Sequence, residues 1–298
     1  MHNTTSNTIS VCGHLCVDYI INVEEYPPVG ESRRIASRKI YFGGGAANIA
    51  VGIATLGGQA ELISAVGADF RGSAYEKHLR DLHIAAHFFE SEENCSTAFM
   101  VNNAAGDQIT YFEWGAGEAF ARANPPARDF VHMATGDAEF NLKIAKQAKF
   151  ASLDPGQDVK YYTAAQLKAL YDEIDLLICN NFEIQIMKKT LGESEKSILE
   201  SVPMAIVTAG KTGSTLYTDG EKTKIPAVLV QAVDPTGAGD AYRAGLFTAM
   251  KKGLPIETCC KVGAVTSSFA VEKTGTQTNL PDWETMRTRF EENFGSLA

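Results

Sequence analysis

The second half of the chain alternates short apolar runs with longer segments of helical periodicity, and this alternation restricts the fold more than any other feature. The pattern begins after the turn sequence Asn124-Pro125-Pro126. Its predicted strand and helix pairs are 130–134 with 140–148, 150–153 with 164–171, and 176–179 with 182–191. Strand, helix and strand at this spacing form a parallel sheet with helices on both faces. Ligands of such sheets bind at the carboxyl ends of the strands.

The rest of the chain adds elements of both kinds. Apolar or alternating runs predict strands at 9–12, 17–23, 34–41, 61–66, 204–208 and 224–233, and a hairpin of strands 97–101 and 108–114. Helical periodicity predicts helices at 49–56, 70–82, 241–252 and 256–271. A chain of 298 residues with these elements fits one large α/β domain or two smaller ones.

Composition restricts the partners. The net charge of −9 disfavours general attraction to nucleic acid or to an anionic membrane and favours a small ligand. No apolar run approaches the ~20 residues that span a bilayer, and the first residues lack the basic and apolar regions of a signal peptide. The six cysteines show no zinc-ligand spacing, so reduced thiols are expected. These features predict a cytoplasmic protein.

The stretch 234–240, with the sequence DPTGAGD, holds the parts of a phosphoryl-transfer site. Three small residues at the start of a helix leave backbone N–H groups accessible, and the aligned peptide dipoles add roughly half a positive charge there. Such a helix start binds anions. The adjacent carboxylate of Asp240 is placed to take the proton of an attacking hydroxyl. The alternative is a glycine-rich turn, with Asp240 as an ordinary acid in the first turn of a helix.

A second glycine-rich stretch, 43–48 with the sequence GGGAAN, leads into the predicted helix 49–56. Glycines at a helix entrance let a ligand approach the backbone closely. The side chain of Asn48 both donates and accepts hydrogen bonds, which suits a vicinal diol. Asp18 is a carboxylate among apolar neighbours in the predicted strand 17–23. If that strand alternates, Asp18 faces solvent, which is the alternative to a ligand contact.

The two glycine-rich stretches resemble the two signatures of the PfkB, or ribokinase-like, family of carbohydrate and nucleoside kinases, and they occur in the same order. The resemblance implies that Asp240 is the catalytic base. It also implies that the amides of Gly237, Ala238 and Gly239 form an anion hole. Pro235 departs from the threonine that is usual at its position in the family.

The resemblance implies roles for further residues that match the family's motifs. Asp18, Gly44 and Asn48 are expected to bind substrate hydroxyls. The other residues implied in this way are Asn180, Thr208, Gly210 and Gln277 for ATP, Glu183 for Mg²⁺ through water, and Asp234 and Thr236 for a monovalent cation such as K⁺. For Asn180 and Glu183 the alternative is helix capping, which is compatible with the functional role.

Within the family, several stretches resemble the nucleoside kinases of methanogenic archaea, namely 114–116, 132–142, 154–158, 276–281 and the DPT form of the anion-hole loop. The resemblance implies Mg²⁺- and ATP-dependent phosphorylation of the 5′-hydroxyl of inosine, guanosine, cytidine and adenosine, in purine and pyrimidine salvage. Asp137 and Gln157, in polar clusters at predicted strand ends, are further candidates for substrate binding. Phe112 either stacks on a base, lies in a dimer interface or packs within its sheet.

The resemblance also implies the fold class, a ribokinase-like three-layer α/β/α domain with a mostly parallel central sheet and a small β-sheet lid. The kinase domain is expected at 1–16, 42–94 and 115–298, and the lid at 17–41 and 95–114. Pairing of two lids in a homodimer is expected from the same resemblance.

Other functions remain open at this point. A sugar or sugar-phosphate kinase of the same fold needs only a different lid and pocket, and Arg33, Arg34 and Arg38 keep a phosphorylated substrate in consideration. A non-catalytic nucleotide-binding regulator is disfavoured, because the expected base and metal-organising residues are present. An NAD-dependent oxidoreductase is disfavoured as well, because no Gly-x-Gly-x-x-Gly follows a predicted strand.

Overall fold

The structure, a computed structural model, describes residues 7–297. The helices in this range are α1 (Gly45–Thr55), α2 (Ala74–Asp81), α3 (Ala138–Ala145), α4 (Ala164–Tyr171), α5 (Asn181–Leu191), α6 (Glu195–Glu200), α7 (Ala238–Lys251), α8 (Ile256–Ala270) and α9 (Trp283–Phe294). The strands are β1 (Thr8–Cys12), β2 (Cys16–Val23), β3 (Ile35–Gly43), β4 (Gln59–Val66), β5 (Ala85–Glu90), β6 (Ser96–Asn102), β7 (Gln108–Glu113), β8 (Phe130–Met133), β9 (Phe150–Leu153), β10 (Leu176–Asn180), β11 (Met204–Thr208), β12 (Ser214–Thr218) and β13 (Glu221–Ile225).

Nine strands form the central sheet, in the order β13-β12-β11-β10-β9-β8-β1-β4-β5. All pairs from β11 to β5 are parallel, and only β11–β12 and β12–β13 are antiparallel. The predicted mostly parallel sheet is therefore confirmed. The carboxyl ends of its parallel strands lie along one edge, where the polar residues that follow β1, β8, β9, β10 and β11 are brought together.

In the middle of the central sheet both faces are buried, and side chains that alternate along each strand enter a core on either side. In β10, Leu176 and Ile178 pack in a core with residues of α1, α7, α8 and α9. Leu177 and Cys179 point the other way, into a second core with residues of α3, α4, α5 and α6. Helices on both sides of one sheet make the three-layer α/β/α arrangement that the sequence predicts.

A separate four-stranded sheet, in the order β3-β2-β6-β7, is called the lid below. The predicted hairpin is present as the antiparallel pair β6–β7. The strand β2 joins this hairpin by parallel pairing with β6, and β3 pairs with β2 in the antiparallel direction. Sequence-distant segments are thus combined into one sheet, as the ribokinase-like fold requires.

One predicted strand is wrong. The apolar run 224–233 is not a strand beyond Ile225, where β13 ends, and residues 226–237 have no regular structure. Pro226 follows directly and cannot donate a ladder hydrogen bond. The sequence reading also omitted β5, α6, α9 and the hairpin β12–β13. That hairpin turns at Asp219 and Gly220, whose φ angles of 53° and 77° suit the Asp-Gly turn signal in the sequence.

The cysteines are unpaired, as predicted, and all six are buried. Cys12, Cys179, Cys259 and Cys260 have no exposed surface and act as small apolar side chains in the two cores. Between residues 7 and 297, no helix combines the length and the apolar character that crossing a membrane requires.

Candidate active site

A cavity of about 570 Å³, called the central cavity below, lies between the lid and the carboxyl ends of the parallel strands. It gathers residues from sequence segments that are far apart. The sequence-predicted residues that line it are Asp18, Gly44, Asn48, Phe112, Gln157, Asn180, Glu183, Thr208, Thr236, Gly237, Gly239 and Asp240. A larger cavity, of about 740 Å³, lies between α6 and the β12–β13 hairpin and contains none of the predicted residues.

A second cavity, of about 400 Å³, is called the donor cavity below. Its walls include apolar side chains of the irregular segment 226–237 and of α8, such as Leu229 and Ala264. The predicted residue Gly210 lies here, and so does Ala238. The two cavities share Thr208, Pro235 and Gly239. The start of α7 therefore lies at the junction of the two cavities.

The start of α7 has the geometry of an anion hole. Gly237 precedes the helix with φ of 80°, a left-handed conformation that favours glycine. Within residues 7–297, no acceptor bonds the backbone amides of Gly237 and Gly239. The amide of Ala238 differs, since it donates to the Pro235 carbonyl at 3.2 Å. The two glycine amides and the helix dipole are thus the groups that remain for an anion.

Asp240 is held by Asn48 of α1. The Asn48 amide nitrogen donates to Asp240 Oδ2 at 2.8 Å. Asn48 Oδ1 accepts from Thr276 Oγ1 and Gln277 Nε2, both at 2.8 Å, so the orientation of the amide is fixed by its partners. Burial raises the pKa of Asp240 to about 6, and the Asn48 hydrogen bond and the Arg243 guanidinium limit this rise.

Asp18 is buried, with 7% of its surface exposed, so the alternative of a solvent-facing carboxylate is wrong. It lies in β2 on the face of the lid that lines the central cavity. A Cβ on Gly43 would collide with its carboxylate, and one on Gly44 would collide with the His14 carbonyl. Burial raises the pKa of Asp18 to about 6, the Cys16 thiol opposes the rise, and the charge of Asp240 adds to it. Gly43 therefore leaves room for this carboxylate, and Gly44 leaves room for the backbone of residues 14–16.

Asn180 and Glu183 form a capping box at the start of α5. Asn180 Oδ1 accepts from the amides of Phe182 and Glu183, at 2.8 and 3.0 Å. The Glu183 carboxylate accepts from the Asn180 backbone and side-chain nitrogens, both at 2.7 Å. Burial and the charge of Asp154 raise the pKa of Glu183. The capping role is present, and both residues also line the central cavity.

The sequence reading missed a buried ion pair in the same cavity. Arg243 Nε lies 2.6 Å from Asp154 Oδ2, and the two residues are 4% and 6% exposed. Burial acts to raise the pKa of Asp154, but a guanidinium at this distance is always charged and favours the ionised carboxylate. The signal in the sequence was an arginine three residues after Asp240, on the same face of an otherwise apolar helix.

Two residues predicted to bind the substrate or ATP lie outside both cavities. Asp137 caps α3, where its side chain accepts from the Phe140 amide at 2.8 Å. Gln277, expected to contact ATP, instead directs its side chain to Asn48 and to the Tyr75 hydroxyl at 3.0 Å. Gln277 therefore holds the Asn48 side chain in place by this hydrogen bond. These side chains therefore do not line the pockets to which the sequence reading assigned them.

The residues around the junction fit a magnesium ion that is held mainly by phosphates. Between residues 7 and 297, no three His, Cys, Asp or Glu side chains cluster tightly enough to hold a metal by themselves. Mg²⁺ in phosphoryl-transfer sites keeps several waters and takes only one or two protein carboxylates. Glu183 lines the cavity and is compatible with contact to Mg²⁺ through water.

Asp234 and Thr236, predicted for a monovalent cation, lie close together below the lid. Asp234 Oδ1 accepts a hydrogen bond from the Thr236 backbone amide at 2.9 Å.

A three-layer α/β/α domain with a lid, and with a buried carboxylate in the first turn of a helix that begins at a glycine, is the arrangement expected of a kinase of the ribokinase-like fold. The model of the pfkB family of carbohydrate kinases matches residues 6–283, and the chain belongs to this family. The family resemblance inferred from the sequence is thereby confirmed.

Relatives from three organisms resemble the chain over nearly its whole length. The nucleoside kinase of Methanocaldococcus jannaschii is 42% identical over 96% of this chain and 97% of its own. Its crystal structure has a TM-score of 0.93, with 97% of this chain and 99% of that chain covered. The nucleoside kinase of Methanothermobacter thermautotrophicus is 39% identical over 95% of each chain. The structure of Burkholderia thailandensis nucleoside kinase in complex with inosine has a TM-score of 0.87 at 25% identity, covering 96% of this chain and 99% of that one.

The pKa values of Asp18 and Asp240 predict an acid limit to phosphoryl transfer. Both carboxyl groups have a pKa of about 6. Asp240 must be ionised to accept a proton and Asp18 to accept hydrogen bonds from hydroxyls, so kcat/KM should fall as pH decreases through about 6. Because two groups protonate together, log kcat/KM should fall with a slope that approaches about 2.

The measurement is the pH profile of kcat/KM for the wild-type enzyme and for Asp18→Asn. The variant has one of the two groups removed, so its acid limb should approach a slope of about 1. An acid limb centred near the ordinary aspartate pKa of ~3.9 in the wild type would contradict the burial argument.

Proposed function

We propose that the protein is an ATP-dependent nucleoside kinase that phosphorylates the 5′-hydroxyl of inosine, guanosine, cytidine and adenosine. The observation that carries this proposal is the meeting of the donor and central cavities at Gly239, beside Asp240. An acceptor in one cavity and a triphosphate in the other then face each other across the anion hole. The similarity to proteins named nucleoside kinases, one of them solved with inosine, supports a nucleoside as acceptor.

The proposed mechanism begins with the acceptor. Asp18 and Asn48 bind the ribose hydroxyls, and Gly44 lets the sugar approach the backbone. Asp240 orients the 5′-hydroxyl and takes its proton while a bond forms between O5′ and the γ-phosphorus. The bond from this phosphorus to the β-phosphate oxygen breaks, and its electron pair leaves with ADP. With a pKa of about 6, Asp240 is ionised at neutral pH and ready to accept the proton.

The charge of the transferring group is stabilised by the start of α7. The amides of Gly237 and Gly239 have no acceptor among the described residues, and such preorganised donors lower the free energy of the transition state. Glu183 would hold Mg²⁺ through water, and the bound ion would supply further positive charge to the phosphates. Thr208 and Gly210 line the donor cavity and Asn180 the central cavity, at positions suited to the phosphate chain.

The residues at the lid end of the central cavity favour a nucleoside, with its aromatic base, as the acceptor rather than a phosphorylated sugar. Its lining residues there include Met100, Thr110 and Phe112, which are uncharged. Arg33 pairs instead with Glu25 and Glu31, at 2.8 and 2.7 Å. A phosphate group needs cationic partners, and an aromatic base needs apolar or aromatic walls. The sugar-phosphate alternative is therefore disfavoured by the side chains that surround this end.

A substrate screen tests the proposal. ADP release with ATP and Mg²⁺ should occur with inosine, guanosine, cytidine and adenosine, and not with ribose, fructose or fructose 6-phosphate. Asp240→Asn should lose nearly all turnover while it still binds inosine in a calorimetric titration, because the amide keeps its size but accepts no proton.

Asp219→Asn is the matched control, since this exposed turn residue lies far from both cavities. It should retain wild-type turnover. Turnover only on a sugar or a phosphosugar would overturn the nucleoside assignment, and near-native kcat in Asp240→Asn would overturn the role of Asp240.

A monovalent cation is a further part of the proposal. Asp234 and Thr236 lie in the loop before the anion hole, and the Asp234 amide bonds the Val271 carbonyl at 3.2 Å. A K⁺ ion there would hold this loop against α8. Exchange of KCl for choline chloride should then lower kcat, and equal rates in the two salts would remove K⁺ from the proposal.

A cytoplasmic location, in keeping with six unpaired thiols, is proposed as well.

We also propose a homodimer that pairs through the lid. A row of apolar side chains crosses the outer face of all four lid strands in register, from Ile40 to Tyr19, Phe99 and Tyr111. The ends of the row are well exposed, with Ile40 at 52% and Tyr111 at 66%. A continuous apolar face of this kind is typical of a protein interface.

Tyr111→Lys tests the dimer by placing a charge in this row. Light scattering at micromolar concentration should give a dimer mass for the wild type and a monomer mass for the variant, because burial of an unpaired charge is costly. Phe182→Lys, at an 83% exposed position on α5, is the control and should stay dimeric. A monomeric wild type would contradict the proposal.

A further inference from the structure

The central cavity has an excess of negative charge that a phosphate chain must overcome. Five of the described residues that line it are acids: Asp18, Asp154, Asp158, Glu183 and Asp240. Arg243 is the one permanent cation among the described lining residues. A phosphoryl group that enters the central cavity from the donor cavity is negatively charged, so Arg243 is the lining residue that attracts it there.

The side chain of Arg243 runs back along α7 toward the anion hole. Side chains of a helix lean toward its amino terminus, and positions four apart lie above one another. Arg243 is four residues after Gly239, and a Cβ on Gly239 would lie 2.7 Å from Arg243 Nη1. The guanidinium therefore lies directly against the backbone of the anion hole. Glycine at position 239 leaves room for the guanidinium in this position.

This placement does not serve the stability of the helix. A cation near the amino terminus of a helix is repelled by the helix dipole. The partner, Asp154, is itself buried, and a buried ion pair contributes little net stability because both charges lose their hydration. The pair thus has costs that a ligand must offset, which points to a role in binding or catalysis.

Asp154 fixes the guanidinium without occupying its terminal nitrogens. The contact of 2.6 Å is made through Nε. Asp154 Oδ1 also accepts from the Gly156 amide at 3.1 Å, so the carboxylate is anchored to the loop after β9. The fork of Nη1 and Nη2 remains for oxygens in the cavity, and its planar geometry matches two oxygens of one phosphoryl group.

We propose that Arg243 is a catalytic residue, whose terminal nitrogens donate hydrogen bonds to the transferring γ-phosphoryl group, and that Asp154 is its positioning residue. As the O5′–phosphorus bond forms and the bond to the ADP oxygen breaks, negative charge is spread over the equatorial oxygens. Arg243 stabilises this charge from the protein side of the junction. The inference rests on the proposed kinase reaction but not on the identity of the acceptor.

Arg243→Ala tests the proposal. An arginine that acts on a transferring phosphoryl group is worth ~10³–10⁵ in kcat, so kcat should fall at least about 1000-fold. The dissociation constant of the acceptor, measured by calorimetry without ATP, should stay within about threefold of the wild-type value. In the proposal the guanidinium contacts the phosphates of ATP and does not contact the acceptor. Added guanidinium should restore part of kcat in a saturable manner, which a merely structural role would not allow.

Two variants complete the experiment. Arg128→Ala removes another paired arginine, whose Nε donates to Glu61 at 2.6 Å outside both cavities, and should retain wild-type kcat and show no response to guanidinium. Arg243→Lys keeps the charge without the fork and should fold, with a melting temperature near that of the wild type and a large loss of kcat. Retention of kcat within about tenfold in Arg243→Ala, or a loss that guanidinium does not relieve, would overturn the proposal. If the wild type accepts only a sugar, the nucleoside assignment fails and the same test is run with that sugar.

Discussion

The hydrogen bond between Asn48 and Asp240 is the contact on which the site depends. It joins side chains 192 positions apart and ties the start of α1 to the start of α7 at 2.8 Å. Thr276 and Gln277 occupy the other side of the Asn48 amide, so a third segment is fixed at the same point. The glycines that precede each helix are thereby held at a set distance from one carboxylate. The pKa of that carboxylate reflects the compromise, because burial raises it and the amide donor lowers it.

The parallel part of the fold could be predicted from the sequence because its strands are buried on both faces and read as short apolar runs. The edge of the sheet could not. The strand β13 is mostly polar, with Lys222 and Lys224 in an exposed ladder, and its signal was the Asp-Gly turn alone. The apolar run that follows misled the reading, because Val228 and Leu229 line the donor cavity and do not pair in a sheet. Periodicity alone does not distinguish these two uses of apolar residues.

The candidate site also contains residues that the sequence predicts and residues that it does not. Residues within the two glycine-rich signatures lie together, because each signature folds locally into a helix start. Arg243 and Asp154 were missed, since their pairing depends on how α7 packs against the loop after β9. Gln277 was placed in the correct segment but with the wrong partner, because a side chain's direction in an irregular loop is set by tertiary contacts. Motifs thus identify local chemistry, and packing decides which outside residues complete it.

In the proposed function, the lid performs two tasks with the two sides of the same strands. In β7, Thr110 and Phe112 line the central cavity, while Ile109 and Tyr111 lie on the outer face. Because the side-chain period of a strand is two, acceptor choice and subunit pairing can diverge by substitution independently of each other. Insertion or deletion of one residue has the opposite effect, since it exchanges the faces and disturbs both at once. The lid strands can therefore tolerate substitutions on either face, whereas an insertion or deletion within a strand would disturb both faces.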